Sequence, residues 1–155
     1  MYDYYVSDVP FGPNNQIKTV IIGDGITSIG RNVFSKCNAL TSVKISNSVR
    51  TIRENAFSSC DNLENIEIPD SVTIIMDGAF SGCGRLENIT LPDTVISLGP
   101  SIFKNCTGLK SITLPNNIKT IPNEAFSGCA LLTDIAIPST VVSIGISAFE
   151  GCGII

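Results

Sequence analysis

Histidine and tryptophan are both absent from this 155-residue sequence. Without histidine, the chain lacks the usual general base for a cysteine or serine nucleophile and the usual nitrogen ligand of zinc. Basic residues are also few: 10 Lys and Arg stand against 14 Asp and Glu, which gives a net charge of −4 and no basic surface for nucleic acid. We therefore expect no catalytic residue set, no metal site, no cofactor and no nucleic-acid partner.

Long hydrophobic runs are missing as well, although 43% of the residues are hydrophobic. The longest apolar run is 129–132, whereas a membrane-spanning helix needs about 20 apolar residues. Residues 1–16 have neither a basic start nor an apolar segment, so they do not read as a signal peptide. We predict no membrane insertion, and either a cytosolic protein or one whose signal lies outside this sequence.

Cysteine is present six times, always at the same spacing. Each cysteine follows the previous one after 23 residues, and a phenylalanine precedes each by three residues. The chain follows the pattern L-x-x-I-x-I-P-x-x-V-x-x-I-G-x-x-A-F-x-x-C-x-x, and all 48 apolar positions of six repeats hold an apolar residue or cysteine. The pairs are Phe34 and Cys37, Phe57 and Cys60, Phe80 and Cys83, Phe103 and Cys106, Phe126 and Cys129, and Phe149 and Cys152. A core that recurs with one fixed period indicates a solenoid, in which each turn contacts only its neighbours.

The six repeats, called rungs below, predict a repeat domain over 17–155 that follows a lead-in or cap at 1–16. The rungs are 17–39, 40–62, 63–85, 86–108, 109–131 and 132–154. In each rung the alternating I-x-I predicts a strand, the following proline and turn-forming residues a corner, and V-x-x-I a second short strand. The spacing of Phe and Cys predicts a single helical turn. Because the same strand recurs in every rung, we expect one parallel sheet along a curved rod, mainly β or of the α/β type.

This pattern resembles the BspA-like leucine-rich repeats, whose unit carries L-x-x-I-x-I-P, then V-x-x-I-G, then A-F-x-x-C. The resemblance covers 17–152, with Gly23 and Ser46 in place of proline and Val33 and Ile102 in place of alanine. It implies a right-handed leucine-rich-repeat rod that belongs to a secreted or cell-surface protein. It also implies a role in binding, since some members of that family are adhesins for host matrix proteins or other cells.

The cysteines themselves could be reactive thiols, metal ligands, disulfide partners or packing residues. Zinc ligands usually come in close pairs such as C-x-x-C, whereas these cysteines are 23 residues apart. Equivalent side chains on stacked rungs point the same way, which disfavours a disulfide although the rungs lie near the required separation. We expect buried free thiols without disulfides, and a phenylalanine stack that fills the core rather than binding a ligand.

The outward positions of the I-x-I strands form the candidate binding surface, called the sheet face below. It carries two small, mostly polar side chains per rung and no Tyr, Trp or Arg of the kind that dominates binding hot spots. The twelve residues are Thr19, Ile21, Ser42, Lys44, Asn65, Glu67, Asn88, Thr90, Ser111, Thr113, Asp134 and Ala136. Glu67 lies beside Glu64 and Glu87, which share one column on adjacent rungs and should repel slightly. This charge suits a basic partner, or else it is an ordinary solvated acidic surface.

The two ends of the repeat array differ in sequence. The aromatic residues Tyr2, Tyr4, Tyr5 and Phe11 are expected to fold over the first rung as a cap. Ile155 occupies the leucine position of a further rung, so we expect an uncapped last rung that could associate end to end with another copy.

Two functions remain open from the sequence. The first is a non-catalytic interaction module of a secreted or cell-surface protein, which binds a protein or glycan and serves in adhesion. The alternative is an architectural spacer or targeting array fused to another extracellular domain. No nucleophile, base or metal set supports an enzyme.

Overall fold

The computed structural model describes Phe11 and residues 13–153, which form a solenoid of about five turns. This part of the chain contains short strands and turns only. The strands of the I-x-I segments are β1 (Thr19–Ile22), β3 (Ser42–Ile45), β5 (Asn65–Glu67), β7 (Asn88–Thr90) and β9 (Ser111–Thr113). The strands of the V-x-x-I segments are β2 (Ser28–Ile29), β4 (Thr51–Ile52), β6 (Ile74–Ile75), β8 (Ser97–Leu98), β10 (Thr120–Ile121) and β11 (Ser143–Ile144).

Paired strands run parallel and are offset by one repeat. In the first column of strands Thr19 pairs with Ser42, and Ser42 pairs with Asn65. In the second column Ser28 pairs with Thr51. The constant offset of 23 residues confirms that the rungs stack in register, as the repeat predicted.

The core is the column of side chains that the rungs enclose. All 35 buried hydrophobic residues fall at the apolar positions of the repeat, and ten more of those positions are partly buried against them. The three remaining positions, Ile26, Ile137 and Ile144, are 48%, 39% and 54% exposed. They belong to the first and last rungs, which have a complete neighbouring rung on one side only within the described residues.

The phenylalanine side chains form one continuous stack inside the solenoid. Neighbouring ring centroids are 5.4–5.8 Å apart, and their planes differ by 3–15°, which is the offset-stacked geometry that aromatic rings favour. Phe11 joins this stack against Phe34 at 5.6 Å, next to the first rung, and the cap at 1–16 stays a prediction. The tyrosines of the expected cap lie outside the described residues, and the role of Ile155 stays a prediction for the same reason.

The A-F-x-x-C segments do not form helical turns, so that prediction was wrong. Each segment has two residues with positive φ at its ends. One lies immediately before the alanine position and the other immediately before the cysteine. The first set is Asn32, Asn55, Gly78, Ser101, Glu124 and Ser147, and the second is Lys36, Ser59, Gly82, Asn105, Gly128 and Gly151. Left-handed residues four positions apart interrupt any right-handed helix. Each segment is therefore a pair of tight turns, and we call this side of the solenoid the turn face.

The turns place backbone N–H groups against the next rung. At the first junction Asn32, Phe34 and Lys36 donate their N–H groups to the carbonyls of residues 54, 56 and 58 at 2.7–3.0 Å. The same triplet recurs at each later junction, ending with the N–H of Gly128, which donates to the Glu150 carbonyl at 2.7 Å. A helical turn would use such donors within its own rung, whereas these turns use them to join neighbouring rungs.

The strand columns are interrupted, so the expected single sheet is also corrected. The second column divides into a β2-β4-β6-β8 sheet and a β10-β11 sheet. Pro122 contributes to this division, together with Lys119, whose N–H makes no backbone hydrogen bond to the preceding rung within the described chain, unlike those of Arg50, Thr73 and Ile96. The counterparts of Pro122, namely Arg53, Met76 and Gly99, each donate a backbone N–H to the preceding rung at 2.8–2.9 Å, and proline has no N–H to donate.

The first column divides between β5 and β7, into a β1-β3-β5 sheet and a β7-β9 sheet. The carbonyls of Thr41 and Glu87 each accept two N–H groups from the next rung. By contrast, the carbonyls of Glu64 and Lys110 accept no backbone N–H within the described chain. In the sixth rung the residues around Asp134 and Ala136 do not pair with β9, so the strand predicted there is absent.

We predict that Phe80→Ala lowers the free energy of unfolding by about 3–5 kcal/mol, because the ring is fully buried between Phe57 and Phe103. Urea denaturation followed by circular dichroism measures this loss. The exposed strand residue Thr90 provides the control, since Thr90→Ala should change stability by only about 0.5 kcal/mol. A loss below about 1 kcal/mol for Phe80→Ala would place the ring outside the core.

We further predict that Pro122→Ala joins the two halves of the second strand column. The substitution supplies an N–H opposite the Leu98 carbonyl. One such hydrogen bond adds about 1 kcal/mol to the free energy of unfolding. Part of this gain is offset because the unfolded chain becomes more flexible without proline. Hydrogen exchange measured by NMR should show the new amide at position 122 protected to the same degree as the Gly99 amide. Exchange as fast as that of an exposed loop amide would show that Pro122 is not the cause of the division.

Candidate functional site

The six cysteine side chains, the first candidates for chemistry, lie inside the solenoid as free thiols. Five are buried and Cys152, in the last rung, is half-buried. Each thiol donates to the carbonyl of the phenylalanine in the preceding segment, as Cys106 does to Phe80 at 3.1 Å. The same contact joins Cys60 to Phe34 and Cys129 to Phe103, both at 3.1 Å. The thiols therefore act as hydrogen-bond donors that tie one rung to the next, a role that the sequence did not reveal.

Burial also makes these thiols poor nucleophiles. Desolvation raises the pKa of Cys60 and of Cys129 to about 12, against an ordinary value of 9.0. It raises the pKa of Cys83 and Cys106 further, because these two thiols lie deepest in the stack. A thiol is reactive as the thiolate, so cysteines that stay protonated at neutral pH are structural residues.

The sheet face lies where the repeat predicted it, on the outside of the first strand column. Eleven of its twelve residues are exposed and Ser42 is half-buried. Register brings its members into two columns, with Thr19, Ser42 and Asn65 in one and Ile21, Lys44 and Glu67 in the other. Across the next pair of rungs Ser111 donates a hydrogen bond to Asn88 Oδ1 at 2.6 Å. The structure thus brings the predicted residues together, except that Asp134 and Ala136 continue the surface outside any strand.

The acidic residues beside the sheet face are largely paired. Glu87 contacts Lys110 on the following rung at 2.8 Å, and Glu64 contacts Arg85 at 3.6 Å. These exposed pairs contribute little stability, but they neutralise two of the three carboxylates predicted to repel one another. Glu67, the third, has no ion pair in the described part of the chain.

A cleft of about 410 Å³ opens on the sheet face where β5 and β7 fail to pair. Its walls combine two carboxylates, two other polar side chains and four apolar residues. They are Ile66, Glu67, Ile68, Asp70, Asn88, Ile89, Thr90 and Pro92. Only Glu67, Asn88 and Thr90 were among the predicted binding residues. Asp70 was missed because its corner position predicts a turn, and no local signal marks the division of the sheet.

Other kinds of site are not evident in the structure. The described residues contain no group of three or more Cys, Asp or Glu side chains that could hold a metal ion. They also contain no helix long and apolar enough to cross a membrane. A second depression, of about 480 Å³, lies on the turn face and is lined by Pro13, Asn32, Ser35, Lys36, Asn55 and Ser58, none of which was among the predicted binding residues.

Comparison with known sequences agrees with the repeat. The chain matches the profile of the BspA type leucine rich repeat region in six copies, over residues 6–130 and 51–155. No curated protein matches the chain.

Solved bacterial structures share the fold. A leucine-rich repeat protein of T. pallidum is 28% identical with a TM-score of 0.68, over 92% of this chain and 78% of that one. A leucine rich cell surface protein of Faecalibacterium prausnitzii is 27% identical with a TM-score of 0.58, over 89% of this chain and 52% of that one. A leucine-rich repeat protein of Bacteroides ovatus is 28% identical with a TM-score of 0.56, over 88% and 50%. The chain thus spans about half the length of two of these three proteins.

We predict that stability falls as pH rises from about 9 and that Cys83 contributes to the fall. Its folded-state pKa is raised, so its contribution is complete below the unfolded pKa and is lost above it, at about 1.4 kcal/mol per pH unit. Urea denaturation between pH 8 and 11 (about one unit per step) should therefore show a shallower pH dependence for Cys83→Ala than for the unchanged protein. Equal slopes for the two proteins would contradict the burial of a protonated thiol at this position.

Proposed function

The chain belongs to the BspA type leucine-rich repeat family, and we propose that it is a non-catalytic interaction module of a secreted or cell-surface protein that serves in adhesion. Its ligand is a protein or glycan bound by the sheet face. The observation that carries the proposal is the regular, exposed column of polar side chains on a rigid parallel-strand scaffold. Stacked repeats characteristically present such extended surfaces for binding.

Two further observations support this function. The Faecalibacterium protein that shares the fold is described as a cell surface protein, which favours a similar location for this chain. Within the chain, five of the six thiols are buried, and burial raises the pKa of Cys60 and Cys129 to about 12. The polar side chains that remain accessible are suited to recognition rather than to nucleophilic attack.

We predict that Thr113→Arg weakens ligand binding at least about tenfold, because a large charged side chain on the sheet face obstructs close contact. The measurement is surface plasmon resonance against a panel of immobilised extracellular matrix proteins and cell-surface glycans. Thr120→Arg is the matched control, since Thr120 is also an exposed strand threonine but lies in the second strand column. Equal weakening by both variants, or by neither, would contradict binding through the sheet face.

If no protein or glycan of the panel binds the chain, that result would instead favour the spacer or targeting role. In that case the array would position a fused domain without contacting a partner of its own.

A further inference from the structure

The division between β5 and β7 opens the solenoid on one side only. On the second strand column the same two rungs are paired, with Ile74 opposite Ser97. On the turn face the N–H of Gly78 donates to the Pro100 carbonyl at 2.9 Å, and Phe80 stacks on Phe103 at 5.5 Å. The third and fourth rungs are therefore held together on two sides, and the cleft is a wedge on the third.

The width of this wedge limits what can enter. Inserting a peptide strand between β5 and β7 would require them to stand two strand spacings apart, about 9.6 Å. Some Cα atoms of the two strands still lie within 8 Å of each other. The cleft is thus too narrow for a strand but has room for a single long side chain.

The polar groups of the cleft favour a cation. Glu67 and Asp70 are acceptors only, and neither takes part in an ion pair or side-chain hydrogen bond within the described chain. Asn88 contributes less, because its Oδ1 already accepts the hydrogen bond from Ser111. Lys44 is the register partner of Glu67, but it lies on β3, on the side of β5 away from the cleft, and forms no ion pair with Glu67. Two carboxylates that form no ion pair in the described chain, beside a crevice between strands, complement a group that carries only donors.

The apolar walls favour arginine over lysine. Ile66, Ile68, Ile89 and Pro92 border the same cleft; Ile68 and Ile89 are core residues only 6% and 5% exposed, so the accessible apolar wall comes from the half-buried Ile66 and Pro92. An arginine side chain can lay its methylene stem along such a wall while its planar guanidinium reaches the carboxylates. The guanidinium is also more weakly hydrated than the lysine ammonium, so less hydration is lost on entry.

We propose that the cleft between β5 and β7 receives an arginine side chain from the partner protein. This inference rests on the proposed function, because it names the partner chemistry that the sheet face recognises. It places the centre of recognition at the junction of the third and fourth rungs rather than evenly along the twelve residues of the face.

The test uses a small probe, N-acetyl-arginine amide, titrated into the ¹⁵N-labelled protein and followed by NMR. Saturable shifts are expected at the backbone amides of 66–68 and 88–91. The neutral analogue N-acetyl-citrulline amide, which keeps the shape and loses the charge, should cause none. Equal shifts with both probes, or no shifts at these amides with the arginine probe, would overturn the proposal.

Two double variants identify the carboxylates. Glu67→Gln with Asp70→Asn should weaken the binding of the arginine probe about fivefold, as expected for the loss of exposed charge pairs. Asp77→Asn with Glu150→Gln makes the same change in net charge on exposed residues of the turn face and should leave the affinity for the probe unchanged. Equal weakening by both double variants would show a general charge effect and would overturn the assignment of the site.

The outcomes also separate this inference from the proposed function. Specific arginine binding in a chain that binds no matrix protein or glycan would support the cleft and contradict the adhesive role. Ligand binding that Thr113→Arg abolishes but that Glu67→Gln with Asp70→Asn leaves intact would overturn the arginine site and leave the sheet face as the binding surface.

Discussion

The solenoid depends on backbone hydrogen bonds between neighbouring rungs, because no rung is large enough to satisfy its own polar backbone. The strands exchange hydrogen bonds with both neighbouring rungs, as Thr41 donates back to Lys18 and Leu91 donates forward to Thr113, whereas the turn segments donate forward, as Phe34 does to Ala56. Buried backbone groups are costly when unpaired, so these three columns of bonds fix both the separation of the rungs and their register. The apolar core then fills the space that the bonds enclose.

The side-chain stacks reinforce the same spacing. Phenylalanine rings at 5.4–5.8 Å and thiols that donate to the carbonyl of the preceding phenylalanine both repeat once per rung. Cysteine suits this position because it is small enough for the narrow corner, apolar enough for the core, and still able to donate one hydrogen bond. The six repeated cysteines need no reactive role to explain them, because the geometry of stacking places the same small donor in every rung.

Interruptions in the backbone ladders give an otherwise uniform rod its local features. Pro122 lacks a donor where the second strand column divides, and the Glu64 carbonyl accepts no backbone N–H where the first divides. The latter division lies on the exposed sheet face, where it converts a flat surface into a cleft with Glu67 and Asp70 at its walls. Within the described residues the sheet face is interrupted at two junctions, between β5 and β7 and after β9, and the cleft lies at the first of them.

The sequence by itself determined the repeat, its register, the family and nearly every core position, because each rung repeats the same local alternation of apolar and polar residues. It also predicted which strand positions point outward from Thr19 to Thr113. It led to a helical turn at A-F-x-x-C because the spacing of Phe and Cys is helical, although the Asn, Gly and Ser residues at most of the left-handed positions were a signal against it. Only the tertiary structure decided which N–H groups reach the next rung and where the strand columns divide. Those outcomes depend on the distance between whole rungs, which is set by contacts on all three sides at once and cannot be read from any one segment.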